Sequence, residues 1–217
     1  MADQNEELNK VVLIGESGVG KTCIINQFIT GEFEEDSLPT LTNQFCRKQF
    51  DFPEKKSISI DIWDTAGQEQ YRSLNRLFYK NAKAVILVYD VSNKLSFDEI
   101  KNYWYDQIKQ HCDNNIIIAV AGNKCDLYEK RQILDEEGEK YAESINAIFA
   151  ATSAKNASGI KDLFENIALK MIDMKEQKNG EQENENKRKK EGKENNKDNS
   201  NKKVKLNNST KKIRKCC

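Results

Sequence analysis

The 217-residue sequence has a single histidine, no Cys-x-x-Cys pair and no long apolar segment. With one histidine and no Cys-x-x-Cys pair, we expect neither a zinc site nor a histidine-based triad. The longest apolar runs, 84–89 and 116–121, have six residues each, whereas a membrane-spanning helix needs about 20. The polar residues 1–10 contain no apolar signal-peptide core. We therefore expect neither a secreted nor a transmembrane protein.

Net charge is also absent, since 35 Lys and Arg balance 35 Asp and Glu. This balance argues against a strongly basic nucleic-acid-binding protein. It hides two unlike parts: residues 1–172 hold 20 basic and 27 acidic residues, and residues 173–217 hold 15 and 8. The second part has few apolar residues and no aromatic one, so it cannot offset the entropy of ordering. We expect a flexible N-terminus at 1–7, one domain at 8–172 and a disordered basic tail at 173–217.

Short apolar runs alternate with helical patterns along the first 172 residues. Continuous runs are typical of central parallel strands covered on both faces. The predicted strands are 11–14, 45–52, 58–63, 84–89, 116–121 and one near 147–150. The predicted helices are 21–29, 96–111, 135–145 and 159–171, with Ser96 and Glu99 as a capping box. This alternation favours an open, mostly parallel α/β sheet, which binds ligands at the carboxyl ends of its strands.

Residues 15–22, between the first strand and the first helix, match the phosphate-binding pattern G-x-x-x-x-G-K-[ST]. The glycines let successive N–H groups point into one concavity, and the helix N-terminus adds partial positive charge. Lys21 can reach the outer phosphates, and the hydroxyl of Thr22 suits Mg²⁺. The alternative, a plain Gly-rich turn, is uncommon between a strand and a helix. The predicted phosphate contacts are Gly15, Glu16, Ser17, Gly18, Val19, Gly20, Lys21, Thr22 and Cys23.

Two later segments indicate a guanine base: residues 121–126 and residues 152–155, each at the end of a predicted strand. The carboxylate of Asp126 can accept both N1–H and the 2-amino group of guanine, whereas adenine would leave it unpaired. The N–H of Ala154 can donate to O6, and the stem of Lys124 can cover one face of the base. Each string alone is also compatible with an ordinary turn, but their order after residues 15–22 favours the site. The predicted base contacts are Asn123, Lys124, Asp126, Ser153, Ala154 and Lys155.

A third segment, residues 63–69, has the composition of a γ-phosphate sensor. Asp64 can hold Mg²⁺ through water, and Thr40 in the preceding polar loop can supply a second hydroxyl. The N–H of Gly67 can approach a terminal phosphate, and Gln68 can orient the attacking water as the catalytic residue. The alternative is an ordinary Asp-x-x-Gly turn. The predicted metal ligands are Thr22, Thr40 and Asp64.

In order and spacing, these motifs resemble those of the Ras-like small GTPases over about residues 8–172, and within them the Rab family. The Rab-like features are WDTAGQEQYRSL at 63–74, YKNA at 79–82 and the pair Cys216 and Cys217. The resemblance implies a P-loop NTPase fold: a Ras-like G domain with a six-stranded, mostly parallel sheet and helices on both faces. It also implies that Phe33 stacks on the guanine. The exposed aromatic patch that effectors bind would be Phe45, Trp63 and Phe78.

Several positions depart from the Rab pattern. Leu41 and Thr42 follow Thr40 where Rabs usually have Ile-Gly, Phe78 replaces a usual Tyr, and Ser37 stands where an aromatic residue often covers the nucleotide. These changes affect the partner surface and the subfamily rather than the chemistry. In having Thr42 where most Rabs have glycine, the sequence resembles the endosomal branch of the Rabs.

The resemblance implies a membrane-tethered GTP/GDP switch that recruits effectors in vesicle trafficking. Its cofactor would be Mg²⁺, and unaided hydrolysis would be slow, on the order of 10⁻⁴–10⁻² s⁻¹. Its partners would be an exchange factor, a GTPase-activating protein, an escort or dissociation-inhibitor protein and effectors, with the chain itself a monomer. It would cycle between the cytosol and the cytoplasmic face of an endomembrane, an endosome in this branch. Two alternatives are a nuclear-transport or other signalling GTPase, and a module that holds GTP with negligible turnover.

The basic tail is interpreted as a tether. Resemblance to Rabs implies geranylgeranyl groups on Cys216 and Cys217, and two lipid chains anchor stably where one binds marginally. Seven basic residues and no acidic one follow Asp198, which adds attraction to an anionic leaflet. The basic runs at 187–190 and 202–205 also allow nuclear import or nucleic-acid contact, or simple solvation. We expect the tether, and no nucleic-acid partner.

Overall fold

A computed structural model describes residues 8–35, 40, 45–65 and 80–178. The described strands are β1 (Lys10–Ile14), β2 (Phe45–Phe50), β3 (Ile58–Trp63), β4 (Ala84–Asp90), β5 (Ile117–Asn123) and β6 (Ile148–Ala151). The described α-helices are α1 (Lys21–Thr30), α2 (94–111), α3 (Asp135–Ser144) and α4 (160–178). Helix α2 is continuous but irregular: it consists of Lys94–Glu99, a π-helical turn at Ile100–Trp104, and Tyr105–His111.

The six strands form one sheet in the order β2-β3-β1-β4-β5-β6. Strands β2 and β3 pair antiparallel, and the other neighbours pair parallel. The six-stranded, mostly parallel sheet expected from the sequence is therefore confirmed. The register places Asp90 at the end of β4 opposite Asn123 at the end of β5. The carboxyl ends of the parallel strands thus share one edge, which is where the functional residues were predicted to meet.

Both faces of the central strands are covered, as their uninterrupted apolar runs predict. On β1, Val12 and Ile14 belong to a core cluster with Phe97 and Trp104 of α2. The alternate positions Val11 and Leu13, which point to the opposite face, are equally buried. On α1, the ring of Phe28 stacks on Phe164 of α4, with centroids 4.2 Å apart. The core is thus divided into two layers by the sheet.

The predicted capping box at Ser96 and Glu99 is wrong. Helix α2 begins two residues earlier, at Lys94, and Asn93 is its N-cap, since its side chain accepts a hydrogen bond from the N–H of Leu95. Ser96 is buried, and its hydroxyl donates to the carbonyl of Asn93 and accepts from the N–H of Asp90. The serine therefore ties the helix to the end of β4 instead of capping it.

Helix α4 runs to residue 178, beyond the predicted end at 171 and into the segment expected to be disordered. The sequence after Ile172 consists of helix-compatible residues until Gly180, so no strong breaker stops the helix earlier. None of the helices within the described ranges is long and apolar enough to cross a bilayer. Residues 1–7 and 179–217, including Cys216 and Cys217, lie outside the described residues.

Candidate functional site

The segment 15–22 connects β1 to α1 through two glycines that no other residue could replace without strain. Gly15 and Gly20 have φ of 148° and 93°. A Cβ on Gly15 would collide with the carbonyl oxygen of Val88, and one on Gly20 with the side-chain amide of Asn123. The backbone of this loop therefore lies directly against β4 and β5, as a phosphate cradle at the sheet edge requires.

Lys21 is the buried cation of this loop and is only 5% exposed. Its Nζ donates to the carbonyl oxygens of Gly15 and Glu16, each at 2.9 Å. Burial lowers the pKa of Lys21 to about 8, and the carboxylates of Asp64 and Glu16 oppose this shift. The loop thus holds a cation that lacks full compensation, and phosphate oxygens can supply the missing negative charge.

Three oxygen-bearing side chains from separate segments converge beside Lys21. The hydroxyl of Thr22 donates to Oδ2 of Asp64 at 2.6 Å and lies 2.6 Å from the hydroxyl of Thr40. Asp64 is 1% exposed, and its Oδ1 has no hydrogen-bond partner among the described residues. Burial raises the pKa of Asp64, against the hydrogen bond from Thr22 and the charge of Lys21. An unpartnered buried carboxylate oxygen beside two hydroxyls fits a hard cation such as Mg²⁺.

In the described part of the chain, no three His, Cys, Asp or Glu residues cluster closely enough to hold a metal ion. The convergent set contains one carboxylate, Asp64, and the hydroxyls of Thr22 and Thr40. Mg²⁺ commonly binds through one or two protein oxygens together with water and substrate phosphates. The sparse ligand set therefore suits a metal that arrives with a phosphorylated ligand better than a dedicated protein cage.

Asn123, at the end of β5, joins the phosphate loop to the two base-binding segments. Its Nδ2 donates to the carbonyl of Val19 at 2.8 Å, and its Oδ1 accepts from the hydroxyl of Thr152 at 3.2 Å. Asn123 is 1% exposed, so these bonds form without competition from water. The amide therefore fixes the relative position of the three loops that these residues belong to.

The predicted guanine-reading carboxylate is oriented by a buried serine. The hydroxyl of Ser153 donates to Oδ1 of Asp126 at 2.5 Å and accepts from the N–H of Asn156 at 3.3 Å. Ser153 itself is fully buried. Asp126 lines the pocket and Ser153 does not. The serine therefore orients the Asp126 carboxylate without itself lining the pocket.

Lys124 is held in a similar way by a residue that the motifs did not identify. Its Nζ lies 2.7 Å from Oδ2 of Asp90, whose Oδ1 accepts from the N–H and hydroxyl of Ser92. The backbone of Lys124 is left-handed, with φ of 63°. Because Asp90 ends the neighbouring strand, the strand-end rule applied to β4 could have found it.

These elements enclose a pocket of about 370 Å³, within the range of small-molecule sites. The predicted residues that line it are Ser17, Gly18, Gly20, Lys21, Thr22, Cys23, Phe33, Thr40, Asn123, Lys124, Asp126, Ala154 and Lys155. The predicted residues Gly15, Glu16, Val19, Ser153 and Asp64 lie behind this lining and support it. Lining residues that the sequence analysis missed are Glu34, Glu35, Thr65 and Leu127.

Two of the missed residues connect segments around the pocket. The hydroxyl of Thr65 donates to the carbonyl of Leu13 at 2.6 Å, which ties the end of β3 to the end of β1. Glu35 lies 3.4 Å from Lys155 in an exposed ion pair, a contact that contributes little to stability. Gly67, Gln68 and Phe78 lie outside the described residues.

The predicted aromatic patch is described only in part. The rings of Phe45 and Trp63 lie 5.2 Å apart on adjacent strands, and Phe45 is 52% exposed. Nζ of Lys10 lies 4.9 Å from the ring centroid of Trp63. These contacts place an exposed Phe45 beside a half-buried Trp63 on the outer part of the sheet.

Comparison with known proteins decides the family. The profile of the Ras family matches residues 10–173. The chain belongs to the Ras family. Similar proteins include Ras-related protein Rab-22A of Homo sapiens, 40% identical over 162 residues (75% of this chain, 82% of the relative). Ras-related protein Rab-31 of Mus musculus is 39% identical over 171 residues (79% and 87%), and Ras-related protein Rab-8B of Pongo abelii 39% over 168 (77% and 80%).

This member of the Ras family is a Rab-like small GTPase that binds GTP and GDP, hydrolyses GTP and acts in vesicle trafficking. The Rab resemblance found in the sequence is thereby confirmed, and an endosomal-type branch is compatible with the relatives. The comparisons give no support to a nuclear-transport GTPase or to a module without turnover.

In this Ras-family protein, we expect Asp90→Asn to weaken nucleotide binding through Lys124. The amide can still accept from Ser92 but no longer offers a charge to the lysine, so the stem of Lys124 loses its anchor. Loss of a pair of this exposure is worth about 1 kcal/mol, or roughly fivefold faster GDP dissociation. Dissociation of radiolabelled GDP measures this.

The matched control is Glu137→Gln, which removes the charge from the Lys94–Glu137 ion pair outside the pocket. It should leave the dissociation rate at the wild-type value. Equal rates for Asp90→Asn and the wild type would show that Asp90 does not position Lys124 for binding.

Proposed function

We propose that this pocket is the guanine-nucleotide and Mg²⁺ site of the switch, with each residue in the role predicted from its motif. The observation that carries the proposal is convergence: the phosphate loop, the Thr22–Asp64–Thr40 oxygens and the Asp126 carboxylate surround one pocket at the strand ends. The backbone of residues 15–20 and Nζ of Lys21 bind the phosphates. Phe33 and the stem of Lys124 cover the base, and Asp126 selects guanine.

Mg²⁺ would be held by Thr22, Thr40 and Asp64, the last of them through water. When bound, the ion neutralises phosphate charge in the transition state. The unpartnered Oδ1 of Asp64 and the close approach of the two hydroxyls support this assignment. Because Thr40 comes from a different segment from Thr22, its hydroxyl would link that segment to the bound ion.

Asp126→Asn tests the base-reading role. The amide would donate where the carboxylate accepted, so it would face the donors of guanine with a donor and match the O2 acceptor of xanthine. We expect GTP affinity to fall on the order of 100-fold while XTP affinity rises. Competition between the two nucleotides for radiolabelled GDP measures both.

Asp113→Asn makes the same chemical change at an exposed position outside the nucleotide pocket. Its preference for GTP should match that of the wild type. An Asp126→Asn variant that kept the wild-type preference would remove Asp126 from base selection.

Gln68 is proposed to orient the attacking water and Gly67 to donate its N–H to the γ-phosphate. In Gln68→Leu, water is no longer oriented, so single-turnover hydrolysis should slow by about tenfold or more with GTP affinity unchanged. The control is Gln49→Leu on β2, whose rate should stay at the wild-type value. If Gln68→Leu hydrolyses GTP at the wild-type rate, Gln68 has no part in the reaction.

The exposed Phe45 and the half-buried Trp63, together with Phe78, are proposed as the surface that effectors bind. Aromatic side chains supply much of the energy of protein interfaces when buried. Phe45 is 52% exposed and follows Thr40 by five residues in the sequence, which supports a nucleotide-dependent contact. Exchange factors, activating proteins and a dissociation inhibitor are the further partners that a Rab-like switch implies.

Residues 173–217 are proposed to tether the domain to an endosomal membrane through lipids on Cys216 and Cys217. Two lipid chains would give stable anchoring, and the basic residues after Asp198 would add electrostatic attraction. Two observations support the endosomal branch: the similarity to Rab-22A and Rab-31, and Thr42 at the position where most Rabs have glycine.

Replacing Cys216 and Cys217 by Ser should move the protein from membranes to the cytosol, because neither lipid could be attached. Fractionation of cells and imaging of an N-terminally tagged chain measure this. Cys112→Ser, which removes a thiol of the domain, is the control and should keep the wild-type distribution. Unchanged membrane association of the double variant would contradict the tether, and nuclear accumulation of both forms would favour import through the basic runs.

A further inference from the structure

The fully buried indole of Trp104 is hydrogen-bonded to the phosphate loop. Its Nε1 donates to Oε1 of Glu16 at 3.0 Å, a contact between residues 88 positions apart in the chain. Indole has one N–H donor and no acceptor, and here that donor is directed at Glu16. A carboxylate acceptor makes the bond charge-assisted and stronger than one between neutral groups.

Trp104 is the last residue of the π-helical turn in α2. Within this turn the N–H of Tyr105 bonds to the carbonyl of Ile100, five residues earlier. The hydroxyl of Tyr141 on α3 also donates to that carbonyl, at 3.4 Å. An extra residue in one turn rotates the following helix face relative to a regular helix, and such turns occur often at functional sites. The widened turn is therefore anchored by α3 on one side and bonded to the phosphate loop on the other.

The carboxylate of Glu16 needs such a partner because of where it lies. It is close enough to Lys21 to oppose the lowering of the lysine pKa, and the lysine in turn donates to the backbone carbonyl of Glu16. A negative charge in this loop would repel nucleotide phosphates if it entered the anion site. Ser17 and Gly18, the next two residues, line the pocket, whereas Glu16 does not.

We propose that Trp104 is a positioning residue for nucleotide binding: its indole holds the Glu16 carboxylate out of the phosphate site and couples α2 to the phosphate loop. This rests on the proposed role of residues 15–22 as the phosphate cradle. Trp104 is not among the residues that line the pocket, so it would act through Glu16. Its effect should therefore disappear when the carboxylate is removed.

A double-mutant cycle on the full chain tests this with radiolabelled GDP in the presence of Mg²⁺. Trp104→Phe keeps an aromatic ring but removes the donor, so GDP should dissociate about tenfold faster. In the Glu16→Ala background the same substitution should change the rate less than twofold. Tyr103→Phe, in the same π-helical turn, is the control and should match the wild type. Thermal unfolding of each variant separates a loss of packing from a loss of binding.

A wild-type rate for Trp104→Phe, or an equal effect with and without Glu16, would overturn the inference. If Trp104→Phe does not fold, fluorescence provides the measurement, because the chain has two tryptophans and Trp63→Phe leaves Trp104 alone. Its emission should change on removal of GDP and on Glu16→Ala, and an unchanged spectrum in both cases would also overturn the inference. A wild-type protein that binds no GDP would instead overturn the proposed function.

Discussion

The buried amide of Asn123 joins the parts of the nucleotide site into one structure. It donates to the phosphate loop at Val19 and accepts from Thr152 before the second base-binding segment. Its own backbone carbonyl accepts from the N–H of Val91 after β4. The loops at three strand ends are thereby held at fixed distances, and Gly20 must lack a side chain because this amide occupies the space. Without this connection, the phosphate and base contacts would belong to loops that move independently.

The second constraint is electrostatic. Lys21 and Asp64 are both buried and neither is fully compensated: burial lowers the pKa of the lysine and raises that of the carboxyl. Each unfavourable shift is a cost that a bound phosphate or cation can remove. The acidic domain therefore binds a highly charged anion without a basic surface. In the proposed site, backbone amides, Lys21 and a metal ion that arrives with its ligand would supply the positive charge.

Much of the fold and the site could be predicted from the sequence, because both depend on local patterns. Uninterrupted apolar runs identify β4 and β5 as buried strands, and the glycine spacing of 15–22 identifies the phosphate loop. The wrong prediction of a capping box at Ser96 shows where local patterns fail. Serine and glutamate at that spacing cap a helix only if the serine is its N-cap, and here the N-cap is Asn93, while Ser96 lies inside the helix with its hydroxyl bonded to β4.

What the sequence determined by itself is the list of parts: a strand–helix order, a phosphate-loop motif, a carboxylate proposed to select guanine, and a basic tail with two cysteines. What only the tertiary structure decided is which residues hold these parts in place. Asp90 beside Lys124, Ser153 behind Asp126 and Trp104 on Glu16 are contacts between segments distant in the chain. Strand register and the π-helical turn create these contacts, and no periodicity or motif in the sequence encodes the distance between two side chains on different elements.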